Sequence, residues 1–165
     1  MENKKSISFI GVAQGWGAKR SGTEDGPKYF FQAGLQQNST KSGADITWES
    51  ILSAHSSARG VEKELADTLP HVLSMDEKLC TTVRKVMRHQ KFPVVIGGDH
   101  SIAVGTWSGV VSALNAQRGF GLIWVDAHMD SHTLETCHEG LWGGYYHGQP
   151  VSALLGYGEE SLVNV

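Results

Sequence analysis

Residues 93–130 read PVVIGGDHSIAVGTWSGVVSALNAQRGFGLIWVDAHMD. Pro93-Val94-Val95-Ile96 is a short apolar run closed by Gly97-Gly98, the pattern of a buried strand. From Ser101 to Gln117, Ile102, Trp107, Val110, Val111 and Leu114 recur toward one side, as on a helix that packs one face. Phe120 to Val125 is apolar again. Strand, helix and strand in succession predict a right-handed crossover, with Ile96 and Leu122 on neighbouring parallel strands.

The same grammar extends upstream. Ser6 to Val12 reads as a buried strand and is followed by the glycine-rich loop GVAQGWGAKRSGTEDG. Pro27 opens a helix and Gly34 is placed to stop it; Tyr29-Phe30-Phe31 inside it is expected to pack in the core. Residues 36–45 form a polar loop, and Ile46 to Leu52 is a weaker strand candidate. Val61 to Leu69 suits a short helix ended by Pro70. Ser74-Met75-Asp76-Glu77 has the form of a capping box, ahead of Leu79, Val83, Val86 and Met87 at helical spacing. The prediction is one α/β domain, residues 1–165, built around a parallel sheet. Gly15-x-Gly17 after the first strand is not a dinucleotide fingerprint: Arg20 stands where the third glycine belongs, and no helix begins there.

The totals narrow the function. With 165 residues, 40% hydrophobic and 19% charged, the chain can bury one real core. A formal charge of −3 gives no electrostatic reason to expect nucleic acid or an acidic membrane as partner. Cys80 and Cys137 form no CxxC motif, and such sparse use points to a reducing compartment. MENKKSISFIGVAQGWG has too short an apolar run and no small-residue cleavage site, so it reads as a first strand rather than a signal peptide. No stretch approaches the ~20 apolar residues of a membrane-spanning helix. The expected location is cytoplasmic.

Chemistry concentrates late in the chain. Five of the eight histidines, His100, His128, His132, His138 and His147, fall there, beside Asp99, Asp126 and Asp130. Asp126, His128 and Asp130 occupy every second position, and alternate residues of an extended segment share a face. His100 follows one predicted strand and Asp126 closes the next, where open parallel sheets bind their ligands. A straight segment would hold Asp126 and Asp130 roughly 13 Å apart. The chain must therefore bend, or the donors must divide between two ions ~3.5–4 Å apart. Imidazole and carboxylate without thiolate suit Mn²⁺ or another oxygen-favouring divalent cation. His147, near the end of the loop GLWGGYYHG, is placed either to carry protons into a cleft or to bond backbone as an ordinary loop histidine. His138-Glu139 lacks the second histidine of a zincin, and no spacing supports Cys137 as a nucleophile.

GGDHS at 97–101, VDAHMD at 125–130 and HGQPVSALLG at 147–156 resemble the arginase family of ureohydrolases, which includes agmatinase and formiminoglutamase. Ser21-Gly22-Thr23-Glu24-Asp25-Gly26-Pro27 is similar to that family's first loop. The resemblance implies a three-layer α/β sandwich with a central parallel sheet and a pair of Mn²⁺ ions. By it, His100, Asp126, His128 and Asp130 are metal ligands, and His147 is the catalytic proton shuttle. His132 stands where arginases often place an asparagine that contacts the substrate's α-carboxylate, so it is the substrate-binding candidate. The implied reaction is hydrolysis of L-arginine to L-ornithine and urea by a metal-bridging hydroxide. Agmatinase or another ureohydrolase is the alternative, and a non-catalytic fragment that binds metal weakly is the other. The family's later S-x-D-x-D metal motif does not occur in these 165 residues, so the domain is expected to be incomplete at its C-terminus. Homo-oligomers, trimers or hexamers, are the family's habit.

Overall fold

The computed structural model describes residues 6–39, 43, 45–61, 63–114, 119–137 and 145–165. Strands β1 (Ser6–Ala13), β2 (Asp45–Ser53) and β3 (Phe92–Gly97) form a parallel sheet in the order β2-β1-β3. Around them lie helices α1 (Gly26–Gln32), α2 (Leu35–Ser39), α3 (Leu65–Arg88), α4 (Ala103–Ala113), α5 (Pro150–Leu154) and α6 (Glu160–Val163). As predicted, α1 starts with a proline in its first turn, and Gly34 behind it takes a left-handed φ of 71°. Part of the expected polar loop after it is α2.

The central strand explains the layering. Ile10 and Val12 point to one face and are fully buried with Met75, Leu79, Val83, Val86 and Ile102. Phe9 and Gly11 point to the other, where Phe9 meets Trp48 edge-on and a Cβ on Gly11 would strike Ile51 and Pro27. Alternation along β1 thus glues α3 to one face and α1 to the other, with α4 packed on α3. The result is the three-layer α/β sandwich.

Two expectations fail here. The sequence suggests a helix ending at Pro70 and another starting at Ser74; instead α3 is continuous, with Pro70 inside it. An interior proline costs about 3 kcal/mol, whereas burying each of Val72, Met75, Leu79, Val83 and Val86 gains ~1.5–3 kcal/mol. Several such residues on one face outweigh one lost N–H, so the capping box at Ser74 never forms. Phe120 to Val125, expected as a strand beside β3, joins no ladder among the described residues. Ile123 and Val125 are 87% and 91% exposed, and the predicted crossover is not completed. A strand exists only through pairing, and an apolar run cannot supply its own partner.

Smaller differences follow. Tyr29, Phe30 and Phe31 are at least half exposed, although Phe31 meets Trp48 edge-on. Residues 115–117 of the α4 prediction, and the His138-Glu139 pair, lie outside the described residues. No described helix is long and apolar enough to cross a membrane.

Candidate metal centre

The turns after β1 and β3 are laced together. Gly98 N donates to Val12 O (3.1 Å) and Asp99 N to Gln14 O (2.9 Å). A Cβ on Gly98 would lie 2.3 Å from Gln14 O, so only glycine permits this approach. The buried Asp99 carboxylate accepts from Gly17 N (2.8 Å), Ser101 N (3.1 Å) and Ser101 Oγ (2.6 Å). Three donors offset the cost of burying it. They also anchor the 3₁₀ turn His100–Ile102, which presents His100 at the carboxyl end of the sheet.

Around His100 the segment 126–130 bends, one of the two outcomes the distance argument allows. Asp126 Oδ1 accepts from His128 N at 2.8 Å, which curls the chain. Asp130 adopts a left-handed φ of 47°, which turns its carboxylate back. That conformation costs a non-glycine residue about 1–2 kcal/mol, and Asp is among the residues that tolerate it best. Its carbonyl accepts from Val151 N at 2.9 Å, tying the bend to the start of α5. Asp130 Oδ2 ends 2.7 Å from His100 Nδ1, and Asp126 Oδ2 lies 3.2 Å from the same nitrogen. Donor atoms of His100, Asp126 and Asp130 all fall within 4.8 Å of one another.

This geometry has a direct electrostatic reading. Two carboxylates converge on one ring nitrogen, which has a single site for a proton or a cation. Their mutual repulsion calls for positive charge between them. The His128 backbone N–H, together with the imidazoles of His100 and His128, holds the Asp126 carboxyl below its usual range. Trp124 stacks on the His100 ring at 4.5 Å and fixes its plane. An imidazole with two carboxylates is a donor set that fits an oxygen-favouring divalent cation.

The other candidates are placed differently. His128 faces solvent with Nδ1 3.4 Å from Asp126 Oδ1, outside the convergent group. His132 is exposed; its Nδ1 lies 3.4 Å from Thr136 Oγ1, and its N donates to Gly148 O at 3.1 Å. His147 sits in the 3₁₀ turn Tyr146–Gly148, with both its N and its Nδ1 2.9 Å from Gly17 O. The loop after β1 therefore touches both Asp99 and His147. Burial pushes the neighbouring Tyr146 phenol up to about 12, with Glu159 adding to the effect, so it stays protonated at neutral pH. Burial also raises the Cys137 thiol, which argues against a nucleophilic thiolate.

Sequence reading missed the groups that hold this frame. Asp99 in GGDHS follows two glycines and precedes Ser101 by two residues, which is a turn signal but does not by itself say what the carboxylate holds. Lys63 gave no signal: in VEKEL it looks like a surface residue, yet it is only 6% exposed.

The arginase family profile matches residues 5–164. The chain belongs to the arginase family. It is 38% identical to the arginase of Bacillus subtilis (strain 168) over 161 residues, which cover 98% of this chain and 52% of that protein. The crystallised arginase of Bacillus caldovelox superimposes with a TM-score of 0.84 at 35% identity, over 98% of this chain and 52% of that one. The arginase of Entamoeba histolytica, solved in complex with L-ornithine, gives 0.83 at 30% identity, over 98% and 53%. The chain thus spans about half the length of the arginases it matches.

Proposed function

We propose that this chain builds an arginase-type site that gathers a divalent cation, Mn²⁺ by preference, for hydrolysis of a guanidino group. The observation that carries the reading is the convergence of His100, Asp126 and Asp130 in a chain of the arginase family. His128 is the fourth proposed ligand, reached by a rotation of its exposed side chain. Bound there, such a cation would supply Lewis acidity and water activation at neutral pH.

The remaining steps belong to the chain. Asp126 and Asp130 fix the position of positive charge, and Trp124 holds the His100 ring in line. His147 is the proposed proton carrier, with Gly17 setting its orientation. His132 is proposed to meet the polar end of the substrate. L-Arginine is the proposed substrate, giving L-ornithine and urea; a relative at 30% identity was solved with L-ornithine. We place the protein in the cytoplasm on its sparse cysteine usage, with assembly into homo-oligomers as the expected state.

The test is Mn²⁺ titration of the 165-residue chain, followed by urea release from arginine and agmatine side by side. Tight binding with arginine turnover supports the reading. Turnover of agmatine alone would transfer it to the agmatinase alternative. Weak binding without urea from either substrate favours the second reading, a non-catalytic metal-binding piece.

A further inference from the structure

Gly17 O receives two contacts from His147, one from its backbone N and one from ring Nδ1, both at 2.9 Å. A carbonyl carries two lone pairs and no proton, so each contact needs a donor. Nδ1 must therefore carry hydrogen. In the neutral imidazole that leaves Nε2 with the free lone pair.

The orientation of the Gly17 peptide decides the matter, and Lys63 controls it. The Lys63 ammonium donates to Gly15 O and to Ala18 O (2.7 Å), bracketing Gly17 from both sides. On the other flank, Gly17 N is held by Asp99. The Lys63 carbonyl accepts from Tyr145 Oη at 2.8 Å, two residues before His147. One residue thus ties both halves of the Gly17–His147 contact. Its ammonium also lies 6.0 Å from the Trp16 ring, within cation–π range. Burial pulls Lys63 below the usual lysine range, with Asp99 and Glu24 opposing. A buried lysine whose charge rests on backbone carbonyls is costly unless the loop needs that donor.

We propose that Lys63 is a positioning residue: it shapes the Gly15–Ala18 loop so that Gly17 O locks His147 as its Nδ1–H tautomer and leaves Nε2 free to exchange protons. This rests on His147 being the site's proton carrier, but the tautomer is read without metal, substrate or turnover. A failed urea assay and a failed tautomer assignment are therefore separate results.

The experiment is long-range ¹H–¹⁵N correlation of the histidine side chains in the 165-residue chain, with His147→Gln assigning the His147 signal. The wild type should show protonated Nδ1 and bare Nε2; a protonated Nε2 with bare Nδ1 overturns the proposal. Lys63→Met should replace the single-tautomer pattern by a mixture, and Lys63→Arg, which keeps donors for the carbonyls, should restore it. An unchanged His147 pattern in a folded Lys63→Met chain overturns the proposal. If Lys63→Met does not fold, Tyr145→Phe removes the hydroxyl that reaches the Lys63 carbonyl. It should move the His147 signals toward the same mixture, and unmoved signals would count as refutation.

Discussion

Gly17→Ala tests the frame of the site with one methyl group. A Cβ there would lie 2.3 Å from Asp99 Oδ1, 2.4 Å from Ser101 Oγ and 2.7 Å from Ser101 Cβ. Ordinary contacts start near 3.5 Å, so something must retreat by roughly 1 Å. The Asp99 carboxylate cannot do so freely, because Gly17 N, Ser101 N and Ser101 Oγ all hold it. Overpacking costs about 1–3 kcal/mol, and losing one hydrogen bond to a buried carboxylate costs about 1.5–3 kcal/mol. Together the expected loss is about 2.5–6 kcal/mol, a large share of the ~5–15 kcal/mol typical of a domain. Urea unfolding followed by tryptophan fluorescence measures it, with Gly121→Ala as control, since a Cβ at Gly121 meets nothing within 4 Å. Gly17→Ala/Ser101→Ala should lose less than the two single changes added, because one clashing oxygen is gone. If Gly17→Ala costs no more than the control, the packing reasoning is falsified.

Further expectations concern charge and core. Asp76 is fully buried, with Gly105 N on Oδ1 and, among the described residues, no hydrogen-bond partner for Oδ2. Burial, reinforced by Asp99, raises its carboxyl well above the ordinary value of 3.8. The folded state then holds this proton where the unfolded state releases it. Stability should therefore fall as pH rises from ~4 toward the raised folded value, by up to ~1.4 kcal/mol per unit. Asp76→Asn should lack that slope, and parallel unfolding-versus-pH curves for the two chains would refute the assignment. Calorimetric titration with Mn²⁺ should show His100→Ala and Asp130→Ala weakening binding more than His128→Ala, given the outward His128 ring; the reverse order would mean that the loop closes on the ion. Leu79→Ala, at a fully buried position facing β1, should cost about 2–5 kcal/mol by denaturant midpoint.

Much of this protein was legible in order along the chain. The apolar runs at Ser6, Ile46 and Pro93 became the three parallel strands, and the helix before Gly34 stopped where a left-handed glycine allows. These are local matters, set by periodicity and backbone sterics within a few residues. The motif GGDHS likewise marked the end of β3, and VDAHMD marked its donor types, although no strand precedes it among the described residues. Residues far apart decided the rest. Pro70 lies within α3 because the helix face beyond it packs on β1, a contact no window around Pro70 contains. Phe120–Val125 has a strand's composition but no ladder, since pairing is a property of two segments. Asp126 and Asp130 meet at His100, and His128 does not, because the left-handed turn at Asp130 breaks the alternation that the sequence displays. Lys63 is buried only because the chain brings Gly15, Ala18 and Tyr145 around it. Sequence determined which elements and donors exist; tertiary packing decided which of them meet, because hydrogen-bond and electrostatic energies depend on distances that local pattern does not encode.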